Sequence, residues 1–338
     1  MSDVTVAIPV RNGGRLLEGV LAALARQTVA HELLVCDSGS TDGSLRAVRE
    51  HGARVIEIAP GQFSHGGTRN LLMGEARGAR VALLTQDAEP ADEQWLERLL
   101  GGFDLGEDVA LVFGSYRPRP EAGFAVRVEL ERWFASLAPD GTPQLERLAQ
   151  DERNLPAVDL IGRRGFFTDA NACLSRAAWA QVPFREVPYA EDRALAVDML
   201  RAGYAKAYVP DAAVLHSHDY GALEQLRRGF DEWRGLREVY GWREPASPAH
   251  LARRLRGELG AVRRELEASS ATSRERRATL LAAGRHNGAR LTGAVLGSRA
   301  GVLPQGLRRV LSFEGRSSFV PLDLDTPERL YPTRSLEF

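Results

Sequence analysis

The chain has 338 residues, enough for one large domain plus an extension. Hydrophobic residues make up 44% and charged residues 26%, ordinary for a packed core under a water-facing surface. With 44 Lys+Arg against 45 Asp+Glu the formal net charge is −1, which argues against a general polyanion or nucleic-acid binder. Lys206 is the only lysine, an imbalance that codon bias explains more simply than function does. Cys36 and Cys173 sit in apolar stretches and read as buried; two cysteines without CxxC spacing suggest neither a disulfide framework nor a zinc site. The first ten residues lack a basic start followed by a long apolar run, and no run of roughly 18 uncharged apolar residues exists. The expectation is a cytoplasmic protein in a reducing compartment.

In chain order, short β-branched runs occur at Val4–Val10, Glu32–Asp37, Arg54–Ile58, Arg80–Thr85 and Val109–Tyr116. Between them lie segments of helical spacing, Leu16–Arg26, Ser44–Glu50, Thr68–Arg77 and Asp92–Leu100. Such alternation predicts βαβ units and a mainly parallel sheet covered by helices, with ligands bound beyond the carboxyl ends of the strands. After Tyr116 the pattern weakens. Ala122–Leu137 reads as a helix, Ala138–Asn154 as loop-rich, Phe166–Leu174 as an apolar stretch, and Asp192–Ala202 as a helix ended by Gly203. A short strand, Tyr204–Val209, leads to His216. Beyond Gly221 arginine-rich helical sequence runs over Leu223–Tyr240, His250–Glu267 and, past a break at Ser269–Ser273, Arg274–Ala283. The tail from Gly301 carries no clear pattern.

The chemically informative residues fall just after the strands. Pro9-Val10-Arg11-Asn12-Gly13-Gly14 ends the first strand, where backbone and Arg11 suit a phosphate, although any strand–turn–helix needs such punctuation. Asp37, opening Asp37-Ser38-Gly39-Ser40-Thr41-Asp42, is placed to accept from a base imide or a ribose hydroxyl; Ser40, Thr41 and Asp42 fit helix capping better. Thr85-Gln86-Asp87-Ala88 delivers one carboxylate that suits Mg²⁺ or Mn²⁺ on a diphosphate, or simply opens the turn before Pro90. Gly66-Gly67-Thr68-Arg69-Asn70, with Phe63 and His65 upstream, suits an anion or merely starts a helix. Glu191-Asp192 reads either as an acidic first helical turn or as a general base towards a hydroxyl. His216 and His218 alternate on an extended segment, so both point to one side, as a metal or phosphate contact requires.

In their order, Ile8-Pro9-Val10-Arg11-Asn12, Asp37 to Asp42, Gly67 to Asn70, Thr85 to Ala88 and Glu191-Asp192 resemble glycosyltransferase family 2 over roughly residues 4–220. Phe63 to Asn70, Leu84 to Ala88, Phe166 to Asn171, Ala190 to Asp192 and His216 to His218 are similar to its bacterial rhamnosyltransferase-like branch. The resemblance implies a GT-A nucleotide-diphospho-sugar transferase fold, with residues 1–220 as the transferase domain and 221–338 as a helical C-terminal extension and tail. It implies an inverting transfer, in this branch of L-rhamnose from dTDP-L-rhamnose, to a glycan or lipid-linked acceptor in surface polysaccharide synthesis. On it, Asp192 is the base; Pro9, Arg11, Asp37, Arg69, Thr85 and Gln86 serve the donor; Asp87 with His216 or His218 holds Mg²⁺ or Mn²⁺. His65, Asp169, Asn171 and Glu191 line the acceptor or sugar pocket. The family's Asp-x-Asp motif is here Thr85-Gln86-Asp87, keeping only the last carboxylate.

The competing α/β readings want motifs that are absent: GxGxxG for a dinucleotide oxidoreductase and GxxxxGK[ST] for a P-loop enzyme. The sequence also admits a family 2 transferase using a UDP- or GDP-sugar, or an inactive relative that binds glycans or acts as a scaffold. The C-terminal helices are expected to pack or to form a homodimer; peripheral contact with the inner face of an anionic membrane is the second reading, weakened by Glu258, Glu265 and Glu267.

Overall fold

The protein is described by a computed structural model covering residues 3–319. In chain order β1 (Val4–Val10), α1 (Gly14–Leu24), β2 (Glu32–Asp37), α2 (Ser44–Glu50), β3 (Arg54–Glu57), α3 (His65–Glu75) and β4 (Arg80–Leu84) form the alternating half. Then come β5 (Glu89–Pro90), α4 (Trp95–Gly101), β6 (Val109–Arg117), α5 (Phe124–Leu137), β7 (Gln144–Glu146), β8 (Asn171–Ser175), α6 (Arg176–Gln181), α7 (Glu191–Arg201) and β9 (Ala205–Leu215). The described residues close with α8 (Ala222–Tyr240), α9 (Pro248–Glu267), α10 (Ser273–Gly297) and α11 (Gln305–Leu311).

All nine strands join one sheet, in the order β3-β2-β1-β4-β8-β6-β9-β5, with β7 also on β9. The alternating half is parallel, as the periodicity predicts: Val6 pairs with Leu33 and with Ala82. The second half differs, since β8 is antiparallel to both neighbours, so the sheet is mixed. The reason lies in the connections. A β-strand reached through a helix returns parallel, whereas β8 follows a long loop-rich stretch that carries no crossover constraint.

Strands buried on both faces read as near-continuous apolar runs. On one face Leu34, Cys36, Leu72, Leu83, Phe113, Phe166 and Leu195 pack with α3 and α7. On the other Val6, Ile8, Leu17, Val35, Trp95 and Leu99 pack with α1 and α4. Each fully buried large side chain contributes about 1.5–3 kcal/mol. Both cysteines are buried and free.

The C-terminal helices pack on this body. Val128 of α5 shares an apolar cluster with Ala261, Val262 and Leu266 of α9 and Ala283 of α10. The break at Ser269–Ser273 is a capping box, with Thr272 Oγ1 accepting from Glu275 N at 3.3 Å and Glu275 Oε2 from Thr272 N at 2.7 Å. From there α10 runs to Gly297, well beyond the expected Ala283. It crosses α8 so closely that a β-carbon on Gly293 or Gly297 would lie 2.2 Å from the carbonyl oxygen of Leu226 or Phe230. No described helix is long and apolar enough to cross a membrane.

Candidate active site

The strand ends at the carboxyl edge build a shelf from two loops. Asn12, at φ 51°, turns its amide into the loop after β2: Asn12 Oδ1 accepts from Thr41 N at 2.8 Å, and Asn12 N donates to Ser40 Oγ at 2.9 Å. Gly13 N donates to Ser44 Oγ and Gly14 N to Asp42 Oδ2. Ser40 and Asp42 are thus spent on the neighbouring loop. Asp37 is 2% exposed; its Oδ2 accepts from Gly39 N and Ser40 N, both at 3.0 Å. Its Oδ1 is buried with no hydrogen-bond partner among the described residues, a state that costs about 1–3 kcal/mol unless a ligand satisfies it. Pro9 is half-buried at the end of β1, and the side chain of Arg11 is exposed beyond it. Gln86 ties this shelf to the β4 edge: its Oε1 accepts from Arg11 N at 2.8 Å and its Nε2 donates to Arg11 O at 3.2 Å. Both ends of that amide are occupied, so Gln86 orders the loop that carries Arg11.

Beside the shelf stands a metal-type cluster. Asp87, His216 and His218 each offer a ligand atom, all within 4.8 Å of one another. His218 Nε2 lies 3.3 Å from Asp87 Oδ2, and His216 Nδ1 lies 3.6 Å from Asp87 Oδ1. Ligands about 2.1 Å from an ion and at right angles to one another stand about 3 Å apart, so this spacing suits a divalent cation. Burial pushes the His216 imidazole below its ordinary range and takes His218 down to about 4, with His216 adding to the effect and Asp87 opposing it. Both shifts favour the neutral ring, the form that ligates a metal. Burial would raise the Asp87 carboxyl, but the two imidazoles, whenever protonated, and the Thr85 hydroxyl outweigh it and hold it below the carboxylate range. The buried Thr85 hydroxyl lies close enough to act on the Asp87 carboxyl in this way. Arg119 donates to the Asp87 carbonyl, and its own backbone N–H donates to Ser217 Oγ at 3.0 Å, joining the two ligand segments. Arg119 lies just past the end of β6, a position that the strand-end rule could have singled out.

A second polar cluster lies at the start of α7. Ala190 takes a left-handed conformation, φ 64°, which costs a non-glycine residue roughly 1 kcal/mol or more. That turn sends Glu191 inwards, 5% exposed, and leaves Asp192 half-buried. Arg69 is 4% exposed and forks between two carboxylates: Nη2 donates to Asp169 Oδ1 at 2.7 Å, and Nη1 lies 3.0 Å from Glu191 Oε1. Burial lifts the Asp169 carboxyl well above its ordinary range and Glu191 to about 6; the Arg69 charge pulls both back, and Asp192 pushes both up. His65 Nδ1 stands 3.9 Å from Glu191. Tyr116 links the two clusters, its ring 4.8 Å from that of His216 and its hydroxyl against Thr168 Oγ1.

Three expectations change here. With its guanidinium committed to Asp169 and Glu191, Arg69 is a buried counter-ion and presents no free charge to a donor phosphate. Asn171 is fully buried in β8, its Oδ1 accepting from Trp95 Nε1 at 2.8 Å and its Nδ2 donating to Ser115 O and Ala212 O. It ties strands together and does not line the cleft. The stretch around Gly66 likewise anchors rather than cradles an anion: a β-carbon there would lie 2.2 Å from Arg185 O, and Asn70 holds Phe184 through both backbone groups. The loop leading to Glu191 is thereby fixed against α3, with help from the paired contacts of Arg185 to Asp198 at 2.6 and 2.9 Å.

A strand-end shelf beside a carboxylate–imidazole cluster, on a mixed sheet between helices, fits a glycosyltransferase of the GT-A fold. The family model described as glycosyl transferase family 2 matches residues 5–163. The O-antigen chain rhamnosyltransferase RfbN of Salmonella typhimurium is 31% identical over 232 residues, covering 68% of this chain and 70% of that protein. The O-antigen chain rhamnosyltransferase WbaN of Salmonella anatum is 30% identical over 238 residues, 68% and 71% of the two chains. Among solved structures, a mannosyltransferase from Pyrobaculum calidifontis in complex with GDP-mannose and Mn²⁺ shares the fold, with TM-score 0.56, 18% identity and coverage of 89% and 86%. The chain belongs to glycosyl transferase family 2 and is a glycosyltransferase.

Proposed function

We propose that this enzyme transfers L-rhamnose from dTDP-L-rhamnose to a hydroxyl of a glycan or lipid-linked acceptor in surface polysaccharide synthesis, with inversion at the anomeric carbon. The observation that carries the reading is the Asp87–His216–His218 cluster, set at the strand edge beside the shelf of Asp37. The two relatives named as O-antigen rhamnosyltransferases favour rhamnose over other sugars. Asp37, with its unpaired Oδ1, takes the base or ribose, and Pro9 and Arg11 flank the nucleotide. Asp87, His216 and His218 hold Mg²⁺ or Mn²⁺, and the two imidazoles favour Mn²⁺. Such an ion, when bound, offsets the charge that develops on the departing diphosphate.

Asp192 is the base. It accepts the acceptor proton as the hydroxyl oxygen attacks the anomeric carbon; the bond from that carbon to the diphosphate oxygen breaks, and the electron pair leaves with the nucleotide. A β-linked donor then gives an α-rhamnoside. Arg69 holds Asp169 and Glu191 so that the start of α7, and Asp192 with it, keeps its place. Thermal-shift measurements with dTDP-, UDP- and GDP-sugars, with and without Mn²⁺, test the assignment. Stabilisation by dTDP-rhamnose that depends on Mn²⁺ is the expected result; a response to UDP- or GDP-sugars alone overturns the donor.

A further inference from the structure

The end of the described chain returns to the site. After α11 it turns at Ser312 and is fastened to α8 by a carboxylate with no exposed surface: Asp231 Oδ2 accepts from Ser312 Oγ at 3.0 Å, Phe313 N at 2.7 Å and Glu314 N at 3.1 Å. Arg234, equally buried and 3.2 Å from Asp231, donates to Arg316 O at 3.2 Å. A single buried oxygen taking three donors fixes the position of two neighbouring side chains. Phe313 packs on Tyr220 at 5.4 Å between ring centres, and Tyr220 stacks on His218 at 5.2 Å. Glu314 Oε1 lies 3.3 Å from His65 Nε2, and Arg316 Nε donates to Glu314 Oε2 at 2.6 Å. The segment thus bridges the metal-type cluster and the carboxylate cluster, touching the first through Phe313 and Tyr220 and the second through Glu314 and His65.

We propose that Ser312–Arg316 forms one wall of the acceptor site, with Glu314 a positioning residue that orients His65 towards the acceptor hydroxyl opposite Asp192. Glu314 holds the His65 ring through Nε2 at 3.3 Å, whereas Nδ1 lies 3.9 Å from Glu191 Oε1, beyond hydrogen-bond reach, and keeps its capacity for an acceptor hydroxyl. The wall presents the exposed ring of Phe313, which suits the apolar face of a sugar, while both Glu314 oxygens are taken by His65 and Arg316. This inference rests on the transferase reading above.

Initial rates of the full chain with dTDP-rhamnose and Mn²⁺, against a panel of methyl glycosides as acceptors, test it. Donor affinity is measured in parallel by calorimetry. Glu314→Gln is expected to raise the acceptor KM about tenfold, the size of one lost hydrogen bond to a charged group, with kcat and donor affinity within about threefold of wild type. Glu314→Asp recovers part of the loss, and Asp231→Asn, which loosens the whole segment, reproduces it. An unchanged acceptor KM in Glu314→Gln, or a loss of donor affinity equal to the loss of acceptor, overturns the proposal while leaving the transferase reading intact. A wild-type chain that neither binds the donor nor turns over on the panel overturns both.

Discussion

Asp192 and Glu191 are adjacent in sequence, yet the structure gives them different environments. The left-handed turn at Ala190 buries Glu191 against Arg69 and leaves Asp192 half-buried. A base must reach its proton before its pKa matters, so the proposed mechanism gives that work to the less buried Asp192. Asp192→Asn is expected to lower transfer on the order of 10²–10⁴-fold with donor affinity little changed, measured by initial rates and calorimetry. His218→Ala removes one of three ligand groups. Its expected effect is a loss of Mn²⁺ affinity of at least about 10–100-fold, the range seen for residues that only support a metal ligand, read directly by titration calorimetry. Unchanged Mn²⁺ binding would take His218 out of the metal set.

At the scale of elements, the contact between α8 and α10 depends on missing side chains. Gly293 and Gly297 let α10 touch the carbonyls of α8, so Gly293→Ala forces backbone apart and is expected to cost about 1–3 kcal/mol, seen as a lower melting temperature. Because α8 carries Asp231 and Arg234, the same change should loosen the 312–316 segment. That segment also carries a pH dependence. Burial would raise the Glu314 carboxyl, but the hydrogen bond and charge of His65 and the charge of Arg316 outweigh it and hold the group at about 2, below its ordinary 4.5. A carboxylate lowered on folding stabilises the folded state fully above 4.5 and loses that contribution as pH falls from 4.5 towards 2. Melting curves from about pH 6 to pH 3 should therefore show wild type falling towards Glu314→Gln as acid is added; curves that stay parallel would contradict it.

For the molecule as a whole, Lys206 offers a natural probe. The only lysine of the chain is 3% exposed and donates to the carbonyls of Arg163, Arg164 and Phe166 at 3.2, 2.6 and 2.7 Å. Burial pushes its ammonium down to about 7, yet donating to all three carbonyls takes the three N–H bonds of the charged form. Lys206→Met leaves three carbonyls without that donor and is expected to cost about 3 kcal/mol. An amine-directed reagent should modify Lys206 only when the fold opens, at a rate that tracks unfolding measured by circular dichroism. Labelling as fast as that of a free lysine would show that the 163–166 loop is open in the native state.

Much of the fold was legible in the sequence because its determinants are local. β-branched runs alternating with helical spacing specify strand, helix and the parallel half of the sheet, and chemistry placed just after a strand must emerge at the carboxyl edge. Asp37, Asp87, His216 and His218 were found on that rule, and the structure gathers the last three within reach of one ion. The same rule misjudged side chains whose surroundings come from elsewhere in the chain. Arg69 and Asn171 sit in motifs, but their polar groups are consumed by Asp169, Glu191, Trp95 and Ser115, all distant in sequence. The antiparallel insertion of β8, the embrace of α8 by α10, and the return of Glu314 to His65 across 249 residues have no local signature. They arise only when distant segments pack, since a hydrogen bond or a close crossing depends on proximity in space. Sequence determined the family, the sheet's first half and the edge where chemistry occurs; tertiary structure decided which charges are free to act there.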